Sequence, residues 1–219
     1  MSELQDSLEE FIQLMSGLAE ENTLGRYRAQ LFLADCSQDL FRSAYSLGMT
    51  IEDCFPYYMK WLKYVTGSLR EDEENIEGVL CEAVDLFSIG VFYEDRKEEF
   101  IEELAFLQSR TPFDDGMLNL CYSYLGLKTG RESKSALKYL NKWLMGRDEK
   151  APISKSILND WYRCNKEAVW YDAHKADNNL YTGYWSFELG ALAKILKLDD
   201  KDFEGNIKYY PYDLVHFTK

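Results

Sequence analysis

Apolar residues recur at spacings of three and four along almost the whole chain, the spacing that lines one face of an α-helix. Leu4, Leu8, Phe11, Ile12, Met15 and Leu18 predict a first amphipathic helix. A longer one is expected over about 24–47, with Tyr27, Leu31, Cys36, Leu40, Phe41, Ala44 and Tyr45 facing a core and Gly48 as its stop. Thr50 to Asp53 carries a capping pattern that admits two registers. If Thr50 caps, Pro56 falls inside the helix and should bend it; if Asp53 caps, Pro56 sits harmlessly in the first turn. The second register is the expectation, with the helix running through Trp61, Leu62 and Val65 to Gly67. The stretch 68–75 has too little apolar content to bury, whereas Ile76, Val79, Leu80, Ala83, Val84, Phe87 and Val91 form a clean helical stripe. After Tyr93 a further helix should begin at Glu94 and Asp95, where acidic side chains oppose the helix dipole. Its inner face is Phe100, Ile101, Leu104 and Leu107, and its outer face Glu98, Glu99, Glu102 and Glu103.

Residues 111–116, TPFDDG, combine a proline with a turn cluster and mark the best boundary in the chain. Beyond it, helices are expected over 117–127 and about 133–144, around Ile157 to Tyr162, at Trp170 and Tyr171, and from a cap at Asp177 or Asn178. In that last helix Trp185, Leu189, Leu192, Ala193 and Leu196 make one stripe that Phe187, Ala191 and Ile195 widen until little polar surface remains. Such a helix is a buried one. Gly183 and Gly190 would admit close neighbours, and Glu188 is a carboxylate in apolar company, expected to accept hydrogen bonds from tyrosines or Trp185 of its own region. No run alternates as a strand does. The class is therefore all-α, an irregular multi-helix bundle or stacked helical pairs in two subdomains, and no period of about 34–47 residues marks a regular repeat.

Charge sharpens the division. The formal net charge is -13, but residues 1–116 hold 25 Asp and Glu against 9 Lys and Arg, while residues 117–219 hold 13 against 16. The expected layout is an acidic N-terminal helical domain over 1–113 and a second helical domain over 114–219. A polyanion disfavours such a chain, so direct nucleic-acid binding is not expected. A field of this strength steers a basic protein instead. The candidate contacts are Glu71, Asp72, Glu73, Glu74, Glu94, Asp95, Glu98, Glu99, Glu102 and Glu103.

Other chemistry finds little support. The five cysteines are widely spaced in apolar helical patterns and read as buried thiols, and His174 and His216 are too few for a metal site. Neither histidine follows a Glu by three residues, as a di-iron bundle requires. No phosphate loop, dinucleotide fingerprint or hydrolase motif occurs, so neither catalytic residues nor a cofactor are expected. The acidic start MSELQDSLEEF lacks the pattern of a secretory signal, and no apolar run is long enough for a membrane span.

One string is more specific. Tyr181-x-Gly183-Tyr184-Trp185-Ser186-Phe187-Glu188, then 191–196, Asp199-Asp200 and Tyr209-Tyr210-Pro211-Tyr212-Asp213-Leu214 resemble the C-terminal domain of the PoNi immunity proteins. The likeness extends back through Trp170 to Leu137-x-x-Leu140-x-x-Trp143 and is weaker in the N-terminal half. It implies an all-helical cytoplasmic protein without enzymatic activity that neutralises a cognate PoNe-type DNase toxin, many of which are delivered by type VI secretion. It does not imply which residues touch the toxin, nor an oligomeric state. The alternative is a helical adaptor or scaffold for another cytosolic partner.

Overall fold

Helices α1 (Thr23–Ser46) and α2 (Ile51–Glu71) form a hairpin with the most extensive interface in the molecule. The computed structural model describes residues 23–71, 79–145, 153–168, 170–175, 181–205 and 208–218, so the helix predicted over 4–18 lies outside it. Tyr27, Ala34, Phe41, Ala44 and Tyr45 are buried along one side of α1. The helix ends where the sequence predicts, because Gly48 takes a left-handed φ of +77° that costs a glycine little. Met49 N–H then donates to the Ala44 carbonyl at 3.1 Å.

The register of α2 differs from the expectation. Asp53 N–H donates to Thr50 Oγ1 at 3.1 Å, so Thr50 is the cap and Pro56 lies within the helix. Pro56 is on the exposed side, where water can serve the carbonyl left without its helical donor. The helix also continues past Gly67 to Glu71, because Ser68 and Leu69 are buried. Trp61 and Leu62 are fully buried, and truncating Trp61 to alanine should cost about 3–5 kcal/mol.

Helix α3 (Val79–Phe92) is the central element, apolar nearly all round, and it packs on α2, α4, α5 and α8. The predicted continuous helix from Glu94 is broken. Residues 94–99 form a 3-10 helix, and α4 (Ile101–Arg110) starts only after Phe100. Phe100 is pulled inward against Phe55 and Tyr58, with ring centroids 6.2 and 5.5 Å away, and a regular helix cannot turn it there while keeping Glu94–Glu99 outside.

Residues 111–115 are extended, and Asp115 caps α5 (Gly116–Leu125) by accepting from Met117 and Leu118 N–H. Its other oxygen takes the Ala136 N–H at 2.8 Å. That bond, with the mutual bonds of Ser135 and Asn141, keeps residues 133–137, the first part of the helix predicted over 133–144, out of helical form, so that it begins only with a 3-10 turn (Lys138–Leu140) and the short α6 (Asn141–Leu144). Helix α7 (Lys155–Cys164) forms as expected. Trp170 and Tyr171 lie in turns, not in an α-helix, because their rings stack on Trp161 and Tyr162.

Helix α8 (Phe187–Leu196) begins later than its apolar stripe predicts. Residues 181–186 are extended, and Trp185 pairs with Tyr209 in an isolated parallel bridge, so it belongs to the approach to α8 and not to its stripe. Gly190 explains how α9 (Tyr212–Val215) closes on α8: a Cβ there would meet Pro211 at 2.9 Å and the Phe92 ring at 3.0 Å. The class is all-α, and no strand occurs among the described residues. One apolar core runs through both parts of the chain, with α3 lying against α8 and Phe41 meeting Phe187 edge-on at 5.7 Å.

Candidate partner-binding surface and buried ionic centre

The candidate acidic residues fall into three groups. Asp72, Glu73 and Glu74 lie outside the described residues. Four others are engaged by cations: Glu71 by Arg26 at 2.8 Å, Glu94 by Lys194 at 3.2 Å, Glu99 by the Arg96 fork at 2.7 and 2.8 Å, and Glu103 by Arg70 at 2.9 Å. Glu94 also accepts from the Tyr124 hydroxyl, and Glu103 from that of Thr66, so both tie neighbouring elements together. Asp95, Glu98 and Glu102 are exposed. The break at Phe100 puts Glu98 and Glu102 on different elements, so the spacing rule for one helix face does not relate them. Side chains that close ion pairs within the fold have less charge to offer outward, which leaves Glu98 and Glu102 as the leading outward-facing members of the set.

A second set of charges is buried, and sequence reasoning missed most of it. Arg42 from α1 donates to Asp85 from α3 at 2.5 Å, with the guanidinium 5.2 Å from the Phe187 ring centroid. Glu188 in the first turn of α8 is 5% exposed. One donor is the Tyr139 hydroxyl, 49 residues away, and not a tyrosine of its own region; the Trp185 indole donates instead to Ser46. Burial pushes the Glu188 carboxyl up to about 7, and repulsion from Asp85 adds to this, while hydrogen bonds from Tyr139 and Trp161 oppose it. Burial raises Asp85 as well, against the pull of Arg42. Nearby, Glu82 accepts from the Trp61 indole at 3.1 Å and is pushed up to about 6 by burial. The available signals were Asp85 inside an apolar stripe and Glu188 inside an apolar helix; neither names its partner.

The stretch before α8, residues 181–186, is fixed by close contacts. Gly183 has φ +101°, and a Cβ there would lie 2.0 Å from Ser46 Oγ. Ser46 donates to the Thr182 carbonyl at 2.9 Å and accepts from the Trp185 indole at 2.8 Å. Ser186 N–H donates to the Tyr209 carbonyl at 2.8 Å. The aromatic residues of this string therefore build a wall together with Trp161, Tyr162 and Trp170, and its Trp185 meets Tyr45 near the carboxyl end of α1. Residues 126–214, which include this wall, match the family described as PoNe immunity proteins (PoNi), C-terminal. Over that stretch the chain is similar to the PoNi C-terminal domain. The PoNi match implies an immunity protein acting against PoNe nuclease toxins, with such a nuclease as its partner. No curated protein and no solved structure matches the chain.

Within the PoNi region the string that carries the resemblance shapes backbone and packing. Among the described residues no group of three or more His, Cys, Asp and Glu is placed to hold a metal ion, and no helix is long and apolar enough to cross a membrane. The thiols also differ from their expected burial: Cys54 and Cys121 are buried, Cys36 is half-buried and Cys164 exposed.

Proposed function

We propose that the protein is a cytoplasmic immunity protein that binds one cognate PoNe-like DNase toxin, delivered by type VI secretion or a related route, and neutralises it without chemistry of its own. The PoNi match over residues 126–214 carries this reading. The binding surface we assign to the acidic part of the chain, residues 1–113, with the PoNi domain over 114–219 as the structural partner of that part. A DNase must present a basic surface to bind phosphates. The excess of 25 acidic over 9 basic residues in 1–116 supplies the complementary field, and the exposed Asp95, Glu98 and Glu102 are its described leading contacts. Such a field acts mainly on the association rate, while buried apolar contacts set most of the affinity.

The test is co-expression with the cognate PoNe-type nuclease. Restored growth and intact chromosomal DNA are expected. Continued DNA degradation with both proteins folded and present would sink the reading.

A further inference from the structure

A cavity of about 170 Å³ opens where the two parts of the chain meet, lined among others by Arg42, Asp85, Trp161, Trp170, Trp185 and Glu188. Asp115 also lines it, but its oxygens are committed to the N–H groups of Met117, Leu118 and Ala136. Arg42 and Asp85 balance each other in their ion pair. That leaves Glu188, whose partners Tyr139 and Trp161 are neutral donors, as the lining carboxyl that pairs with no cation among the described residues. Around it stand three indoles, two of them stacked with centroids 5.5 Å apart and planes 18° from parallel. Indole faces attract cations, most strongly where water is excluded. A carboxyl at the base and indoles on the walls suit an organic cation.

Size and access narrow the occupant. The cavity is smaller than the roughly 300–1,000 Å³ of ordinary small-molecule sites. It has room for one side chain and not for a nucleotide or coenzyme. Its mouth is bordered by short or half-exposed side chains, Ala136, Asn165 and Ala168 with Trp170 and Trp185, so it can be reached from outside. We propose that this cavity receives the ammonium or guanidinium head of one Lys or Arg side chain of the bound toxin. The proposal rests on the reading of the partner as a basic nuclease. It adds a fixed contact at the seam between Arg42, Asp85 and the PoNi region, separate from the acidic surface.

Two measurements test it. In the first, tryptophan fluorescence of the full protein is followed during titration with argininamide, with the neutral isostere citrullinamide as control. A saturable change is expected for argininamide alone, and it should weaken at least tenfold in Glu188→Gln. In the second, Ala136→Trp plugs the mouth from an exposed position whose backbone N–H bond to Asp115 is retained. Its complex with the toxin should dissociate at least tenfold faster, with the association rate unchanged. Equal responses to the two amides, or wild-type dissociation of the Ala136→Trp complex, would overturn the proposal while leaving the immunity reading intact. A wild-type protein that forms no complex with the toxin at all sinks both.

Discussion

The carboxylates along residues 94–103 and those around Arg42 share their chemistry and differ in their surroundings. Glu99 and Glu103 pair with arginines in partly solvated positions, where each pair contributes about 0.2–1 kcal/mol and weakens with salt. Asp85 and Glu188 have lost most of their water, so their interactions are strong and their desolvation is costly. The surface set can therefore change with the partner at little expense to the fold. The buried set is locked to the packing of α1, α3 and α8, and a change there alters the stability of the fold itself.

The largest effect expected from this contrast is at Arg42. Arg42→Ala leaves the Asp85 carboxylate buried without its cation and should cost about 3–5 kcal/mol in urea unfolding. A loss below about 1 kcal/mol would show that water reaches Asp85 and that the contrast is overstated. Glu188 comes next. Its folded pKa, about 7, lies above the usual carboxylate value, so the folded state holds a proton that the unfolded state releases. Stability should consequently fall as pH rises from about 4.5 to 7, and the cost persists at higher pH. Glu188→Gln keeps the shape without the charge, and should flatten this dependence and gain on the order of 2 kcal/mol at pH 8. Thermal unfolding at pH 5 and pH 8 reads both effects.

Smaller effects belong to the surface. Arg70→Ala removes the partner of Glu103 and a guanidinium 4.2 Å from the Phe106 ring centroid; with Arg70 half exposed, the loss should stay near 1 kcal/mol by urea unfolding. Smallest is the double change Glu98→Lys and Glu102→Lys, which touches exposed side chains and should shift stability by no more than about 0.5 kcal/mol.

Helices with a strong apolar period were readable from sequence: α1, α3 and α7 lie close to where their stripes place them. The errors came where one side chain overruled the period. Thr50 set the start of α2 through a single hydroxyl, and Phe100 broke a predicted helix by turning inward. Asp115 held residues near 136 out of a helix, and stacking kept Trp170 and Tyr171 in turns. These contacts join residues distant in sequence, which local periodicity does not register. The acidic surface was legible as composition, yet which carboxylates face outward depended on Arg26, Arg70, Arg96 and Lys194. The buried centre was half legible, since Glu188 stood out while Arg42, Asp85 and Tyr139 did not.

The most direct measurement is the association rate of the protein with its cognate nuclease at low and moderate salt, for wild type and for the Glu98→Lys, Glu102→Lys variant. The account predicts a rate about tenfold lower for the variant at low salt, a flatter salt dependence, and an unchanged fold. Wild-type rates with wild-type salt dependence in that variant would contradict it.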